Sequence, residues 1–207
     1  MLLNSVLAIP RTHNIFLWFK RKQMFIPKEE VALAPEEIAG SAAILPKTGL
    51  LVSPAFLQLW PCAIVSSGPF IYTYWDQTEK PCHLWIGGNI EPRDLIYGNQ
   101  AVIKALERNL ATYVKIKNQR NFFVGYLYSL RDTNQNAFGM LYFLKADNIK
   151  PLKSKYIDVR PMTIAEIKKA YRKLDPWSKR LFDYIYEHPS VRRKMDLYQR
   201  KISIKTD

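Results

Sequence analysis

The sequence is short of several things, and each shortage removes a class of function. Only two cysteines, Cys62 and Cys82, occur in 207 residues. Two thiols cannot build the disulfide framework of a small secreted domain, so a reducing compartment is expected. The three histidines, His13, His83 and His188, are scattered and no Cys/His pair has ligand spacing, so a zinc centre is not expected. Acidic residues number 18 against 31 basic ones, giving a net charge of +13 and a pI near 9.7. That balance favours acidic partners: nucleic acid, nucleotide phosphates or an anionic membrane surface. A long apolar run is also missing. The opening MLLNSVLAI breaks at Pro10, too short to span a bilayer, and no basic segment precedes it as in a secretory signal. The first acidic residue is Glu29, after Arg11, Lys20, Arg21, Lys22 and Lys28, a pattern shared with organellar transit segments. A cytoplasmic protein without a membrane span is the expectation.

What is present is material for a core. Hydrophobic content of 48% and aromatic content of 13% argue against global disorder, and the length suits one domain with appendages. Three segments are expected: 1–58, an extension with strands packed on the core; 59–188, the main domain; and 189–207, a basic tail. Residues 14–26 read as a hairpin or two short strands around Lys20-Arg21-Lys22. A proline-punctuated stretch follows, with helical candidates at 35–39 and 54–59. Strands are predicted at 61–66, 70–75 and 82–86, and two longer ones at 121–130 and 137–146 flank the turn RDTNQN. Two helices then carry explicit start signals. Thr163-x-x-Glu166 is a capping box, and Asp175-Pro176 supplies an N-cap and a first-turn proline. Trp177, Leu181, Tyr184 and Ile185 form the second helix's inward face.

Residues 84–116, LWIGGNIEPRDLIYGNQAVIKALERNLATYVKI, organise the chain. A short apolar strand ends in Gly87-Gly88, a polar loop carries Glu91 and Asp94, and a helix starts near Gln100. On it Val102, Leu106, Leu110 and Val114 recur every four residues, which makes one face apolar. Strand, paired glycines, acidic loop and amphipathic helix in this order resemble the Nudix box of nucleoside-diphosphate-linked hydrolases. In that resemblance Gly88 takes the first glycine, Asp94 the first glutamate and Arg108 the helix arginine, with thirteen residues between the last two where the family pattern has seven. The phrase from Gly87 to Asp94 is similar to that of a bacterial subgroup with such a long loop. The carboxylate positions then hold Asn109, Thr112 and Tyr113. A gap-free register instead puts Glu107 on the last glutamate and Lys104 on an apolar site, and ranks second. The tail, GMLYFLKADNIKP followed by MTIAEIKKAYRKLDPWSKRLFDYI, resembles that of Nudix domains, so the likeness covers residues 59–187.

The resemblance implies an α+β fold, an α/β/α sandwich with a mixed sheet between helices. It also implies that the groups which bind magnesium in the family are missing here, since neutral hydroxyls cannot replace paired glutamates. The first expectation is a catalytically degenerate protein that binds a nucleotide or other phosphate-containing ligand through Gly87, Gly88, Glu91 and Asp94, with no cofactor. The alternative is an active hydrolase that holds magnesium on Glu91, Asp94 and Glu107, with Glu107 and Arg108 in the catalytic roles. The plain readings beside it are a surface position for Glu107 and loop or cap roles for Glu91 and Asp94. A third expectation rests on charge alone. Residues 150–207 carry sixteen basic and seven acidic side chains, and Lys168, Lys169, Arg172, Lys173, Arg192, Arg193 and Lys194 are candidates for a nucleic-acid patch.

Overall fold

The structure is a computed structural model, and it describes residues 4–19, 25–50, 55–76, 81–128, 137–152, 157–195 and 197. The strands are β1 (Ser5–Pro10), β2 (Phe25–Pro27), β3 (Ala43–Pro46), β4 (Phe56–Ser67), β5 (Phe70–Asp76), β6 (Cys82–His83), β7 (Ile86–Gly87), β8 (Val114–Tyr128), β9 (Ala137–Pro151) and β10 (Ile157–Thr163). The helices are α1 (Pro35–Gly40), α2 (Lys47–Leu50), α3 (Ala101–Ala111), α4 (Ile164–Lys169), α5 (Pro176–Glu187) and α6 (Pro189–Lys194). The strands form one mixed sheet whose spine runs β10-β5-β4-β9-β8-β2. Its centre is the parallel pair β4 and β9, in register from Gln58↔Ala137 to Ser66↔Lys145. The long antiparallel pair β8 and β9 continues it. The other edge of β4 is shared by β1 at its start, β7 in its middle and β5 at its end.

Alternation along the central strands sorts side chains into two cores, because successive residues of a strand point to opposite faces. From β4 and β9, Leu57, Leu59, Ala63 and Val65 with Phe138, Met140, Tyr142 and Leu144 meet Val102, Ala105, Leu106 and Leu110 of α3. On the other face Cys62, Ile64, Leu141 and Phe143 meet Trp177, Leu181, Phe182 and Ile185 of α5. The sheet therefore lies between α3 and the C-terminal helices, as the sandwich expectation requires. In β8 the parity changes: Phe122 and Val124 face the α5 side, but so does Leu127, while Tyr126 and Tyr128 face α3. The cause is a bulge, with Phe123 opposite Tyr142 and Gly125 opposite Leu141, so that one residue is inserted. A Cβ on Gly125 would lie 2.1 Å from the Ile26 carbonyl oxygen, so only glycine permits β2 to pair there.

The two C-terminal start signals work as read. Thr163 Oγ1 accepts from Glu166 N at 3.3 Å while the Glu166 carboxylate accepts from Thr163 N at 2.7 Å. Asp175 caps α5 through Trp177 N and Ser178 N at 2.9 and 3.2 Å. Other expectations need correction. The helix candidate at 35–39 is α1, but 56–59 belongs to β4, with Pro54 outside the described residues. There Leu57 and Leu59 alternate into the core, so the period is two. Residues 14–18 form a 3-10 helix capped by His13, and among the described residues of the predicted hairpin 25 and 26 are strand, as part of β2. The Lys20-Arg21-Lys22 turn and RDTNQN lie outside the described residues. Segment 82–86 is two short strands rather than one, and α3 ends at Ala111, so Val114 belongs to β8. Strands β1 and β10 were not predicted at all.

Candidate functional site

The box begins where β7 approaches β4. A Cβ on Gly87 would sit 2.4 Å from Pro61 O and 2.6 Å from Cys62 Cα, both backbone atoms; on Gly88 it would meet only the Asn109 side chain, at 2.7 Å. The glycine pair is thus required by packing, whatever else it does. Gly87→Ala should destabilise the fold by about 1–3 kcal/mol, as overpacking does, and Gly88→Ala by clearly less, because a side chain can move and β4 cannot. Urea midpoints of the two variants check this, and the reverse order would refute it.

Beyond the glycines the chain turns into a 3-10 segment, Pro92–Gln100, that leads into α3. Asp94 accepts from the Glu91 backbone N at 2.8 Å, which closes the turn. From the second turn of α3 the Arg108 guanidinium reaches back over this loop. Its Nε and Nη2 grip the two carboxylate oxygens of Asp94 at 3.0 and 2.7 Å, the fork geometry in which guanidinium binds carboxylate best. Nη1 also reaches Glu91 Oε1 at 3.2 Å, and Nη2 the Asn89 carbonyl at 2.8 Å. Arg93 Nε lies 2.8 Å from the other Glu91 oxygen. Two carboxylates and two guanidinium groups therefore share one cluster and cancel in charge. The Asp94 hydrogen bond, foremost, holds Arg108 above its ordinary range, so it stays cationic.

Asp94 and Arg108, which the long-loop register sets on the first glutamate and the helix arginine, are in contact, while Val102, which the gap-free register sets on that arginine, is buried in the core. Glu107 does not join the cluster. It bonds Lys104 Nζ at 2.8 Å and Gln119 Nε2 at 3.3 Å. The positions that would carry carboxylates are otherwise occupied: Asn109 donates to Asn89 O at 3.1 Å, and Thr112, the C-cap of α3, is exposed. Tyr113 packs edge-on to Tyr74 at 5.2 Å, and Tyr74 in turn packs on His83 at 5.3 Å. Among the described residues no three His, Cys, Asp or Glu side chains are grouped so as to hold a metal ion.

No family model matches the sequence, and no curated protein matches it. Among solved structures, Tm1382, provisionally assigned as a Nudix hydrolase, has a TM-score of 0.73 to this chain at 16% identity, over 88% of this chain and 98% of its own. The chain has the Nudix fold. Two further likenesses are too weak to bear on it. One is the bifunctional NMN adenylyltransferase/ADP ribose pyrophosphatase of Francisella tularensis complexed with AMP and manganese, at TM-score 0.49, 15% identity, 68% of this chain and 44% of that one. The other is a MutT protein of Bacillus halodurans, at 0.41, 13%, 64% and 84%. The loop after Gly87-Gly88 and α3 hold cross-paired charges.

The basic candidates of the C-terminal segment divide. Lys168 and Arg192, from α4 and α6, both reach the Tyr186 ring, 4.7 Å and 5.6 Å from its centroid. Lys194 instead lies over Phe122, 5.1 Å from the ring centre. Lys169, Arg172, Lys173 and Arg193 are exposed. No helix among the described residues is long and apolar enough to cross a membrane. Sequence reasoning missed Arg93, Lys104, Gln119 and Tyr186. Only Lys104 carried a usable signal, its i,i+3 spacing from Glu107.

Proposed function

We propose that this Nudix-fold protein is catalytically degenerate and binds a nucleotide or another phosphate-containing ligand without hydrolysing it. The observation that carries the reading is that each of the three carboxylates near the box already has a cationic partner: Asp94 and Glu91 with Arg108, Glu91 also with Arg93, and Glu107 with Lys104. Magnesium is a hard ion that takes a near-octahedral set of oxygen ligands and needs negative charge to offset its dehydration. A cluster of net zero charge, with Asn, Thr and Tyr at the remaining positions, does not fit that ion. The phosphate ligand is supported by the charge of +13 and by the fold that the chain shares with Tm1382.

The test is a chromatographic assay of the purified chain with ADP-ribose and nucleoside triphosphates in magnesium or manganese. The expected result is no product above the metal-free control. Turnover abolished by chelator and by Glu107→Gln would overturn the proposal and restore the displaced-carboxylate hydrolase.

A further inference from the structure

One surface outside the box is built differently from the rest of the basic face. Between the β4–β5 turn, the start of α4 and the end of α6 lies an open cavity of about 540 Å³ lined by Thr163, Lys168, Tyr186 and Arg192, with Pro69 and Leu197 among its apolar walls. Among the described residues that line it there is no carboxylate. Lys168 Nζ donates to Tyr186 Oη at 2.9 Å, and Arg192 Nη1 donates to the Tyr186 backbone carbonyl. These contacts use one donor of each cation. Two ammonium hydrogens and most of the guanidinium fork are left over. Elsewhere on this chain cations beside carboxylates are paired, as at Arg108, Arg93 and Lys104. Lys168 and Arg192 instead converge, 18 and 6 residues distant from Tyr186 in sequence, and among the described residues their partners are its hydroxyl, ring and carbonyl. The ring is itself held by Phe182, stacked at 5.6 Å on the buried side of α5. The Lys168 hydrogen bond pulls the Tyr186 hydroxyl below its ordinary pKa, as expected where positive charge is in excess.

Two like charges directed at one opening repel each other unless an anion sits between them, and a phosphoryl group has the oxygens to accept from both. We propose that the Lys168–Tyr186–Arg192 cavity is a phosphoryl-binding site, with Lys168 and Arg192 as the two donors and Tyr186 as the post that aligns them. Phe182 stacks on the Tyr186 ring and both cations lie against it, so the contact assigned to this site is with the phosphate rather than with a base. The proposal stands on the C-terminal helices alone, and holds or fails independently of whether the box is inert.

The experiment is an NMR titration of the full chain at low salt with three probes: inorganic phosphate, AMP, and a single-stranded RNA octamer. Shifts at Lys168, Tyr186 and Arg192 are expected in at least one arm. Binding by phosphate and AMP assigns the site to a free phosphate ligand; binding by the octamer alone assigns it to a nucleic-acid backbone. In the binding arm, Lys168→Ala and Arg192→Ala should each weaken affinity about tenfold, the loss expected for one charge-assisted hydrogen bond. Lys115→Ala with Lys117→Ala, which removes two exposed charges on β8, should change it less than twofold. If the octamer binds through two phosphates, raising salt fourfold should weaken it about sevenfold. All the variants replace surface side chains, and unchanged circular dichroism confirms the fold. No shift with any probe, or an equal loss in the Lys115/Lys117 control, would overturn the site.

Discussion

Arg108→Ala is expected to lower stability by about 2–4 kcal/mol, although the residue lies outside both hydrophobic cores. The reason is what it leaves behind. Asp94 is only 4% exposed at its side chain, and without the guanidinium its charge remains buried with a single backbone N–H for company. Breaking a buried pair from one side costs about 3–5 kcal/mol, and the 24% exposure of the Arg108 side chain moves the figure toward the lower end. In a chain of this size each kcal/mol lowers Tm by about 2–4 °C, so the midpoint should fall by roughly 4–16 °C. Arg108→Lys should recover less than half of the loss, because an ammonium cannot reproduce the fork. Adding Asp94→Asn to Arg108→Ala should restore part of it by removing the stranded charge. Additive effects of the two substitutions would mean that the pair is not coupled.

The second large effect lies on the opposite face of the sheet. Asp175 is buried, and its carboxylate does more than cap α5. One oxygen accepts from Trp177 N and Ser178 N; the other accepts from the Ser178 hydroxyl. His83 Nδ1 stands 3.0 Å from that second oxygen without forming an aligned hydrogen bond. The Ser178 oxygen in turn accepts from Leu84 N at 2.8 Å, and Asp175 N donates to Cys82 O at 3.1 Å. One side chain thus fastens the start of α5 to the segment that leads into Gly87-Gly88. Losing a cap alone costs about 1 kcal/mol. Leaving the Ser178 hydroxyl unpaired in a buried setting adds about 1–3 kcal/mol. Asp175→Ala should therefore cost about 2–4 kcal/mol by chemical denaturation, and Asp175→Asn, which keeps an acceptor for the cap, distinctly less. A loss of 1 kcal/mol or below for the alanine variant would reduce Asp175 to an ordinary cap.

These two residues also mark how far the sequence could be read. Asp175 announced itself by its position before proline, but nothing in the chain pointed to Ser178 and His83 as its partners, since they depend on where 82–84 comes to rest. Asp94 and Arg108 were each named by the long-loop register of the resemblance, but their contact was not, since it depends on how the loop folds back beneath α3. The partners of Glu91 and Glu107 were not foreseen: Arg93 meets Glu91 through a 3-10 turn and the Gln119 amide meets Glu107 through strand register, while only the cation Lys104 was signalled by its spacing from Glu107. Among the elements, β5, β8 and β9 were legible from β-branched and aromatic runs, and α3 from its spacing of four. Val114 fits that spacing by coincidence; pairing with Pro151 draws it into β8. Strand β1 has five successive buried residues, so it shows no alternation to read.

The central claim is that the carboxylates near the box are neutralised by their own cations and cannot also hold a metal. Titration of the full chain with Mn²⁺, followed by electron paramagnetic resonance of the free ion, tests it most directly. The account predicts no stoichiometric site at micromolar to millimolar metal, with Asp94→Asn and Glu91→Gln indistinguishable from the parent chain. One bound ion per chain, lost in either variant, would contradict it.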